Sequence, residues 1–278
     1  MTERPVGRHL SAPLANPRAE RVRQVAALAG RSARRRAGAF LVEGPQAVRE
    51  VVAHRAGHVR NVYVNEEAFG ARGPLAQIAD DALAAGLFVH PVTPDVAQAL
   101  SADSQGIVAV VQASAVEGDF GTGSPTLVAV LSSVRDPGNA GAAIRVADAA
   151  GADAVILAGE SVDPTNPKVV RSSAGSLFHL PVVRAESVAK AVDMMRLNGL
   201  TVLAADVSGR VQLGDAEGPD LAAPTAWLLG NEAWGLRPDE LHLADAVVRI
   251  PIFGLAESLN LGTAAAVCLY ASAMAARR

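Results

Sequence analysis

The residue types best suited to chemistry lie in three segments of the second half of the chain. These segments span residues 132–145, 229–236 and 250–260, and each combines glycine or proline turns with polar side chains. Each follows a short apolar run that predicts a buried strand. Because open parallel sheets bind ligands beyond the carboxyl ends of their strands, the three segments together predict a ligand site. Any one of them alone is more typical of a structural turn.

The elements that must position these segments form two predicted blocks. Apolar runs alternate with helical segments over residues 21–115 and again over 127–278, a pattern typical of α/β folds. Residues 116–126 are rich in Gly, Ser and Pro and predict a linker, and residues 1–20 predict a flexible N-terminus. We therefore expect a small N-terminal α/β domain and a C-terminal domain built on a parallel sheet. A helix over Ser258–Ala276 is predicted to end the chain.

Composition narrows the class of protein. Of 278 residues, 50% are hydrophobic and 19% charged, which excludes a disordered chain, a collagen and a coiled-coil rod. The single cysteine, Cys268, predicts neither a disulfide framework nor a thiolate metal site, and favours a reducing cytoplasm. No signal peptide is expected, and the apolar stretch Leu261–Ala276 is shorter than the ~20 residues that span a bilayer. We expect no membrane partner and no metal.

The net charge of −3 conceals a strong asymmetry. Residues 1–60 contain twelve Arg and four Glu, so this part carries +8 while the remainder carries −11. A basic segment on an acidic body suggests contact with a polyanion such as RNA. The residues that best fit phosphate contacts form the densest basic run: Arg31, Arg34, Arg35 and Arg36. A solvated, partly disordered charged segment is the alternative.

The three segments together resemble one family, the SpoU (TrmH) branch of the SPOUT RNA 2'-O-ribose methyltransferases. The first segment matches its Asp-Pro-x-Asn-x-Gly-x-x-x-Arg motif at Asp136, Pro137, Asn139, Gly141 and Arg145. The second matches Gly-x-Glu-x-x-Gly-Leu at Gly230, Glu232, Gly235 and Leu236. The third matches Ile-Pro…Ser-Leu-Asn at Ile250, Pro251, Ser258, Leu259 and Asn260, with Ile252 where Met is usual. Three motifs in this order over about 150 residues are a specific signal.

Two further stretches extend the resemblance. Residues 168–178 are similar to the family's internal Arg-x-Ser-x-Gly segment, and residues 40–48 to its substrate-binding extension. The resemblance implies a deep trefoil knot, which sequence patterns cannot indicate because knots are nearly absent from proteins. It also implies S-adenosylmethionine as cofactor, bound in the knotted loops. The expected cofactor contacts are Leu229, Gly230, Ile250, Ile252 and Leu259, with Gly230 letting the backbone approach the ligand.

The chemistry that the resemblance implies is deprotonation of a ribose 2'-hydroxyl as it attacks a sulfonium methyl group. The family assigns this activation to an Arg at the position of Arg145. A free guanidinium stays protonated at neutral pH, so either the site alters it or Arg145 acts as a cation that holds phosphate and alkoxide. We expect Asn139 to position Arg145, Glu232 to pair with a guanidinium, and Ser258 and Asn260 to bind ribose or cofactor. For Ser258 the alternative is an N-cap of the last helix.

The resemblance also bears on partners. Relatives with this layout mostly act on large-subunit ribosomal RNA, and transfer RNA is the alternative substrate. The final helix, Glu257–Arg278, is apolar on nearly all sides, which predicts a homodimer with the active site completed at its interface. Packing of this helix inside the knot alone is the alternative.

Two classes of protein compete with a methyltransferase. A non-catalytic RNA-binding or ribosome-assembly protein on the same fold would be expected to lose Arg145, Asn139 or the Ser258–Asn260 pair, and all are present. A dinucleotide oxidoreductase would need Gly-x-Gly-x-x-Gly after its first strand, whereas Val128–Leu131 is followed by Ser-Ser-Val-Arg-Asp-Pro.

Overall fold

The computed structural model describes residues 12–118 and 123–277, and its contacts divide the chain into two compact units. The first unit takes the chain as far as Val116 together with a later segment, Thr165–His179. The second takes Glu117–Pro164 and the chain from Leu180 onward. In the described part of the chain, no helix has the length and apolar character needed to cross a membrane.

The first unit contains a four-stranded mixed sheet. Its strands are β1 (Ala39–Glu43), β2 (Val59–Asn65), β3 (Val89–Val92) and β4 (Ile107–Gln112). They lie in the order β1-β4-β2-β3, with β4 antiparallel to both neighbours and β2 parallel to β3. The helices before β4 are α1 (Glu20–Ala26), α2 (Arg31–Ala37), α3 (Pro45–Arg55), α4 (Glu66–Gly70), α5 (Pro74–Ala84) and α6 (Pro94–Leu100). This unit confirms the α/β expectation for the first block.

The N-terminal stretch is more ordered than its sequence predicts. Residues 1–11 lie outside the described chain, but Leu14 forms a parallel bridge with Val92 at the end of β3. Helix α1 then begins at Glu20 and buries Val22 and Val25 in the core of the first unit. Residues 12–20 are the described part of the segment predicted to be flexible. They pair with β3 through Leu14 and lead into α1.

The second unit is built on a seven-stranded sheet in which every pair of neighbours is parallel. The strands are β5 (Leu127–Ser132), β6 (Ala154–Ala158), β7 (Val182–Ala185), β8 (Thr201–Ala205), β9 (Val211–Gln212), β10 (Thr225–Leu229) and β11 (Ala246–Arg249). Their order is β7-β6-β5-β10-β8-β11-β9. The helices of this half of the chain are α7 (Pro137–Ala150), α8 (Pro167–Ser172), α9 (Val188–Leu197), α10 (Pro238–Leu241) and α11 (Leu261–Ala275). The predicted parallel sheet is confirmed, and its central strands β5 and β10 are buried throughout.

Helix α11 ends the chain and begins three residues later than predicted. Asn260, not Ser258, is the N-cap: its Oδ1 accepts a hydrogen bond from the Gly262 backbone N–H at 2.8 Å. The helix packs against α7 and β10, and its Ser272 Oγ accepts a 2.9 Å bond from the Nε1 of the fully buried Trp227. Burial raises the pKa of the Cys268 thiol to about 12, so this side chain behaves as a small core residue.

The segment Thr165–His179 departs from the predicted domain division, which placed it within 127–278. It leaves the second unit after β6 and returns before β7, but α8 packs on β1, and Arg171 forms ion pairs with Glu43 and Asp103. Helix α8 ends at Ser172, and left-handed backbone at Ala174 and Gly175 prevents it from continuing. Buried apolar and ionic contacts thus make this segment part of the first unit.

Candidate functional site

Three loops that follow strands of the second unit contain the three sequence motifs. They follow β5, β10 and β11, and β8 lies between the last two of these strands in the sheet. In a parallel sheet all these loops leave from the same edge. The motifs are therefore brought together at the carboxyl ends of the strands, as the sequence predicts.

A cavity of about 490 Å³ opens at this edge. All five residues predicted to contact a cofactor line it, and so do three of the five predicted catalytic residues, Glu232, Ser258 and Asn260. The structure adds lining residues that the sequence analysis did not select: Ala205, Asp206, Val207, Asn231, Ala233, Trp234, Gly235, Leu261 and Ala264. Asp206 directly follows β8, so its position at a strand end could have drawn attention to it.

The loop after β10 is closed on itself by backbone hydrogen bonds. Asn231 and Gly235 exchange two N–H···O bonds of 3.0 and 2.9 Å, and the Asn231 side chain donates to the Ser133 carbonyl at 2.6 Å. A Cβ on Gly230 would lie closer than 3.0 Å to the backbone of Gly235 and Leu236. Gly230 is therefore required by the packing of its own loop, a reason that differs from the predicted close approach to a ligand.

Asn139 and Asn260 join the beginnings of α7 and α11. Asn260 Nδ2 donates to Asn139 Oδ1 at 2.7 Å. Asn260 Oδ1 also caps α11, and the backbone N–H of Asn139 donates to Asp136 Oδ1 in the first turn of α7. Asn139 does not position Arg145 as predicted, because six residues separate them along α7, a rise of about 9 Å. It instead fixes Asn260 at the wall of the cavity.

Arg145 is exposed on α7 and does not line the cavity. Within residues 12–118 and 123–277 its guanidinium has no hydrogen bond or ion pair. The side chain is thus free to bind a group supplied from outside the chain. Glu232, Ser258 and Asn260 line the cavity and Asn139 bonds to Asn260, whereas Arg145 does neither.

The rim of the cavity carries a cation and an aromatic ring. The Arg135 guanidinium lies 5.1 Å from the centre of the half-exposed Trp234 ring and pairs with Glu160 at 2.9 Å. Glu232 accepts only a long 3.5 Å bond from the Arg135 backbone N–H. The predicted pairing of Glu232 with a guanidinium is not formed among the described residues.

The predicted RNA contacts lie on α2 of the first unit, which is a regular helix rather than a disordered run. Arg31, Arg35 and Arg36 are exposed. Arg34 is only 5% exposed, and its guanidinium donates to the Ala29 carbonyl at 2.9 Å and to Thr165 Oγ1 at 3.1 Å. Arg34 is therefore a wrong choice as a phosphate contact, because its charge is used inside the unit.

The fold and the cavity define an α/β protein that binds a small molecule at the carboxyl edge of a parallel sheet. Residues 126–270 match the SpoU rRNA Methylase family, and residues 19–109 match the MRM3-like substrate binding domain. The chain belongs to the SpoU rRNA methylase family.

Two curated relatives and one solved structure show how far the similarity extends. The chain is 35% identical over 254 residues to the 23S rRNA (uridine(2479)-2'-O)-methyltransferase of Streptomyces viridochromogenes, covering 88% of this chain and 86% of the relative. It is 32% identical over 239 residues to the 23S rRNA (guanosine(2553)-2'-O)-methyltransferase RlmP of Bacillus subtilis, covering 85% and 89%. The crystal structure of the SpoU methyltransferase AviRb from Streptomyces viridochromogenes with AdoMet superposes with a TM-score of 0.79 at 33% identity, covering 92% and 98%.

Proposed function

We propose that this chain is an S-adenosylmethionine-dependent methyltransferase that modifies a ribose 2'-hydroxyl of large-subunit ribosomal RNA in the cytoplasm. The observation that carries the proposal is the cavity at the carboxyl ends of β8, β10 and β11. Residues of the second and third motifs line this cavity, and Asn139 of the first motif bonds to Asn260 at its wall. Relatives that match most of the chain are named as 23S rRNA 2'-O-methyltransferases. Mapping of 2'-O-methyl positions in total RNA from a strain lacking the gene tests it: one position should be lost.

The cavity suits S-adenosylmethionine in size and in chemistry. Its volume of about 490 Å³ falls within the range of sites for small organic ligands. Leu229, Ile250 and Leu259 offer apolar walls for an adenine ring, and the Asp206 carboxylate is an acceptor for ribose hydroxyls or an ammonium group. Ser258 and Asn260 add hydroxyl and amide groups on the opposite loop. The bound cofactor supplies an electrophilic methyl group on a positively charged sulfur.

The residues of the chain then have to stabilise the alkoxide that forms as the 2'-hydroxyl gives its proton to solvent water. Arg145 is suited to this task as a cation that holds the alkoxide and the adjacent phosphate. Glu232 lines the cavity and accepts one long hydrogen bond, from the Arg135 backbone N–H. Its carboxylate can therefore orient a guanidinium that enters the cavity. Asn139 holds Asn260 in place and so acts as a positioning residue.

In this proposal a second copy of the chain supplies the Arg145 that acts at the cavity, since Arg145 of the same chain does not line it. The supporting observations are apolar groups left uncovered in the second unit. Tyr270 and Met274 on α11 are 43% and 58% exposed, and Phe253 and Leu255 in the loop that borders the cavity are exposed as well. Soluble proteins cover such patches with partners. Of the small residues on α11 that would permit a close approach of a second copy, Ala265 is fully buried within its own unit, whereas Ala264 and Ala271 are partly exposed.

Substitution of Met274 by Glu is expected to abolish dimerisation and methyl transfer together. A carboxylate at the centre of an apolar contact must be desolvated without a partner, which costs several kcal/mol. The matched control is Leu197→Glu, because Leu197 is an apolar residue on α9 that is more exposed than Met274, at 87% against 58%. Light scattering and single-turnover transfer are measured for both. A monomeric Met274→Glu protein with full activity, or an unmodified protein of 28.5 kDa that is active, contradicts the dimer.

The deep trefoil knot is supported by the path of the chain after β11. This strand lies between β8 and β9 toward one edge of the sheet, yet the helix that follows it packs on α7, β5 and β10 near the middle. The loop 250–260 therefore passes back across the loops that line the cavity. In this proposal the knot and the cofactor site are made of the same loops.

RNA recognition is assigned to the first unit, with α2 as a phosphate-binding helix. Replacement of Arg31, Arg35 and Arg36 together by Ser is expected to weaken RNA binding and to lower the salt slope of the affinity by about 2 to 3, since each lost phosphate contact removes about 0.7–0.9. Binding of S-adenosylmethionine should not change. The measurement is RNA affinity over a series of salt concentrations.

Arg34→Ser is the contrasting variant for this test. It removes the guanidinium that donates to the Ala29 carbonyl and to Thr165 Oγ1, so it should lower the melting temperature and keep the salt slope. If the salt dependence of RNA affinity is unchanged in the triple variant, α2 is a solvated helix that makes no phosphate contacts.

A further inference from the structure

Three potential metal ligands meet in the first unit, whereas the cavity is lined by residues of the second. Glu50 and His54 lie four residues apart on α3, which places them on the same face of the helix. His179 is the last residue of the segment Thr165–His179 and comes from a distant part of the chain. Glu50 Oε2 lies 3.2 Å from His179 Nε2 and 3.5 Å from His54 Nε2, and the ligand atoms of all three lie within 4.8 Å of one another.

The backbone around this cluster is shaped to admit the Glu50 side chain. Gly175 has a φ of +100°, and a Cβ at this position would lie closer than 3.0 Å to Cβ and Cγ of Glu50. Both the conformation and the space therefore require glycine. The Glu50 side chain is 23% exposed and that of His179 28% exposed, while His54, at 51%, keeps one side of the cluster open to solvent.

We propose that Glu50, His54 and His179 bind a divalent transition metal ion of the Zn²⁺ class. Two imidazoles and a carboxylate are a common set of zinc ligands, with water in the fourth position. Ligand atoms about 2.0–2.1 Å from a tetrahedral ion are about 3.3 Å apart, close to the two separations that Glu50 makes here. The bound ion would connect α3 to the segment Thr165–His179.

The expected role of this site is to hold that segment in the first unit. The segment is joined to the second unit at both ends, and ion pairs of Arg171 with Glu43 and Asp103 also link it to the first unit. A metal ion that binds the folded cluster stabilises it by mass action. The site lies outside the motif loops, so its failure would leave the proposed methyl transfer untouched.

The test is titration of ZnCl₂ into the full-length protein, prepared without a histidine tag and treated with EDTA. We expect about one Zn²⁺ per chain and an affinity that falls at least about tenfold in His54→Asn and in His179→Asn. The matched control is His58→Asn, because His58 lies on the same unit and bonds only to Ser114 in the described chain. Substitution of Co²⁺ should give the strong visible bands of a tetrahedral complex, which are lost in the two cluster variants.

Melting temperatures separate metal binding from a structural role of the histidines. Without metal, His54→Asn should melt close to the unmodified protein, because His54 is half exposed; with Zn²⁺, only the unmodified protein and His58→Asn should gain stability. Glu50→Gln, which keeps the shape of the side chain, should also lose the gain. Equal zinc affinities in the unmodified protein and the cluster variants, or no measurable binding, would overturn the proposal and leave an ion-paired cluster.

Discussion

Arg145→Ala is expected to reduce methyl transfer at least about 10²-fold while S-adenosylmethionine binds with unchanged affinity. The guanidinium is exposed and unpaired within the described chain and does not line the cavity, so its removal should disturb neither the fold nor the cofactor site. The measurement is single-turnover transfer to RNA, with calorimetry for the cofactor. Arg184→Ala is the control, because Arg184 is an exposed arginine of the same unit on β7.

A mixing experiment tells whether Arg145 serves the cavity of its own chain or that of a partner. Arg145→Ala has an intact cavity, and a cofactor-binding variant has an intact Arg145. If the arginine acts across a dimer interface, mixed dimers of these two impaired proteins, assayed at a low S-adenosylmethionine concentration, should be more active than the two separate proteins together. No recovery in verified mixed dimers would assign Arg145 to its own chain, and a wild-type rate for Arg145→Ala would remove it from the mechanism.

Gly230→Ala is the second change with a large expected effect, and it supplies the cofactor-binding variant. The added Cβ would meet the backbone of Gly235 and Leu236, so the paired Asn231 and Gly235 must separate and the cavity wall must shift. Overpacking of this kind costs about 1–3 kcal/mol. Because the loop lines the cavity, we expect the affinity for S-adenosylmethionine to fall at least about tenfold.

The third loop provides the control for this substitution. A Cβ at Gly254 would meet no atom within 4 Å, so Gly254→Ala should bind S-adenosylmethionine normally. Calorimetry on both variants is the measurement. Wild-type affinity in Gly230→Ala would show that the loop after β10 does not form the cofactor site.

Much of the fold follows from local patterns in the sequence. The continuous apolar run of β5 predicts a strand covered on both faces, and the segment 140–150 closed by Gly151 predicts α7, which begins three residues earlier, at Pro137. The five expected cofactor contacts share one cavity because each lies at or just after the end of a strand or next to α11. Such positions are set by the chain direction of a parallel sheet and need no long-range information.

What the sequence could not predict depends on contacts between distant residues. Arg34 lies in a run of exposed arginines, and its burial depends on Thr165, 131 residues away. Asn260 is the N-cap of α11 because its side chain is also held by a hydrogen bond to Asn139, 121 residues earlier. The segment Thr165–His179 belongs to the first unit because of contacts with distant residues. One of them is the ion pair of Arg171 with Glu43, which spans 128 residues. Local secondary-structure propensities and motif spacing contain no information about which distant residues will be in contact.

The most direct test of the proposed activity is transfer of a labelled methyl group by the purified protein to protein-free large-subunit ribosomal RNA. The product is digested, and the position and the chemical site of methylation are mapped. We expect one nucleotide to be methylated at its 2'-oxygen, and transfer by Arg145→Ala alone to be at least about 10²-fold slower. A methyl group on a base, or no transfer to RNA by a protein that binds S-adenosylmethionine, would contradict it.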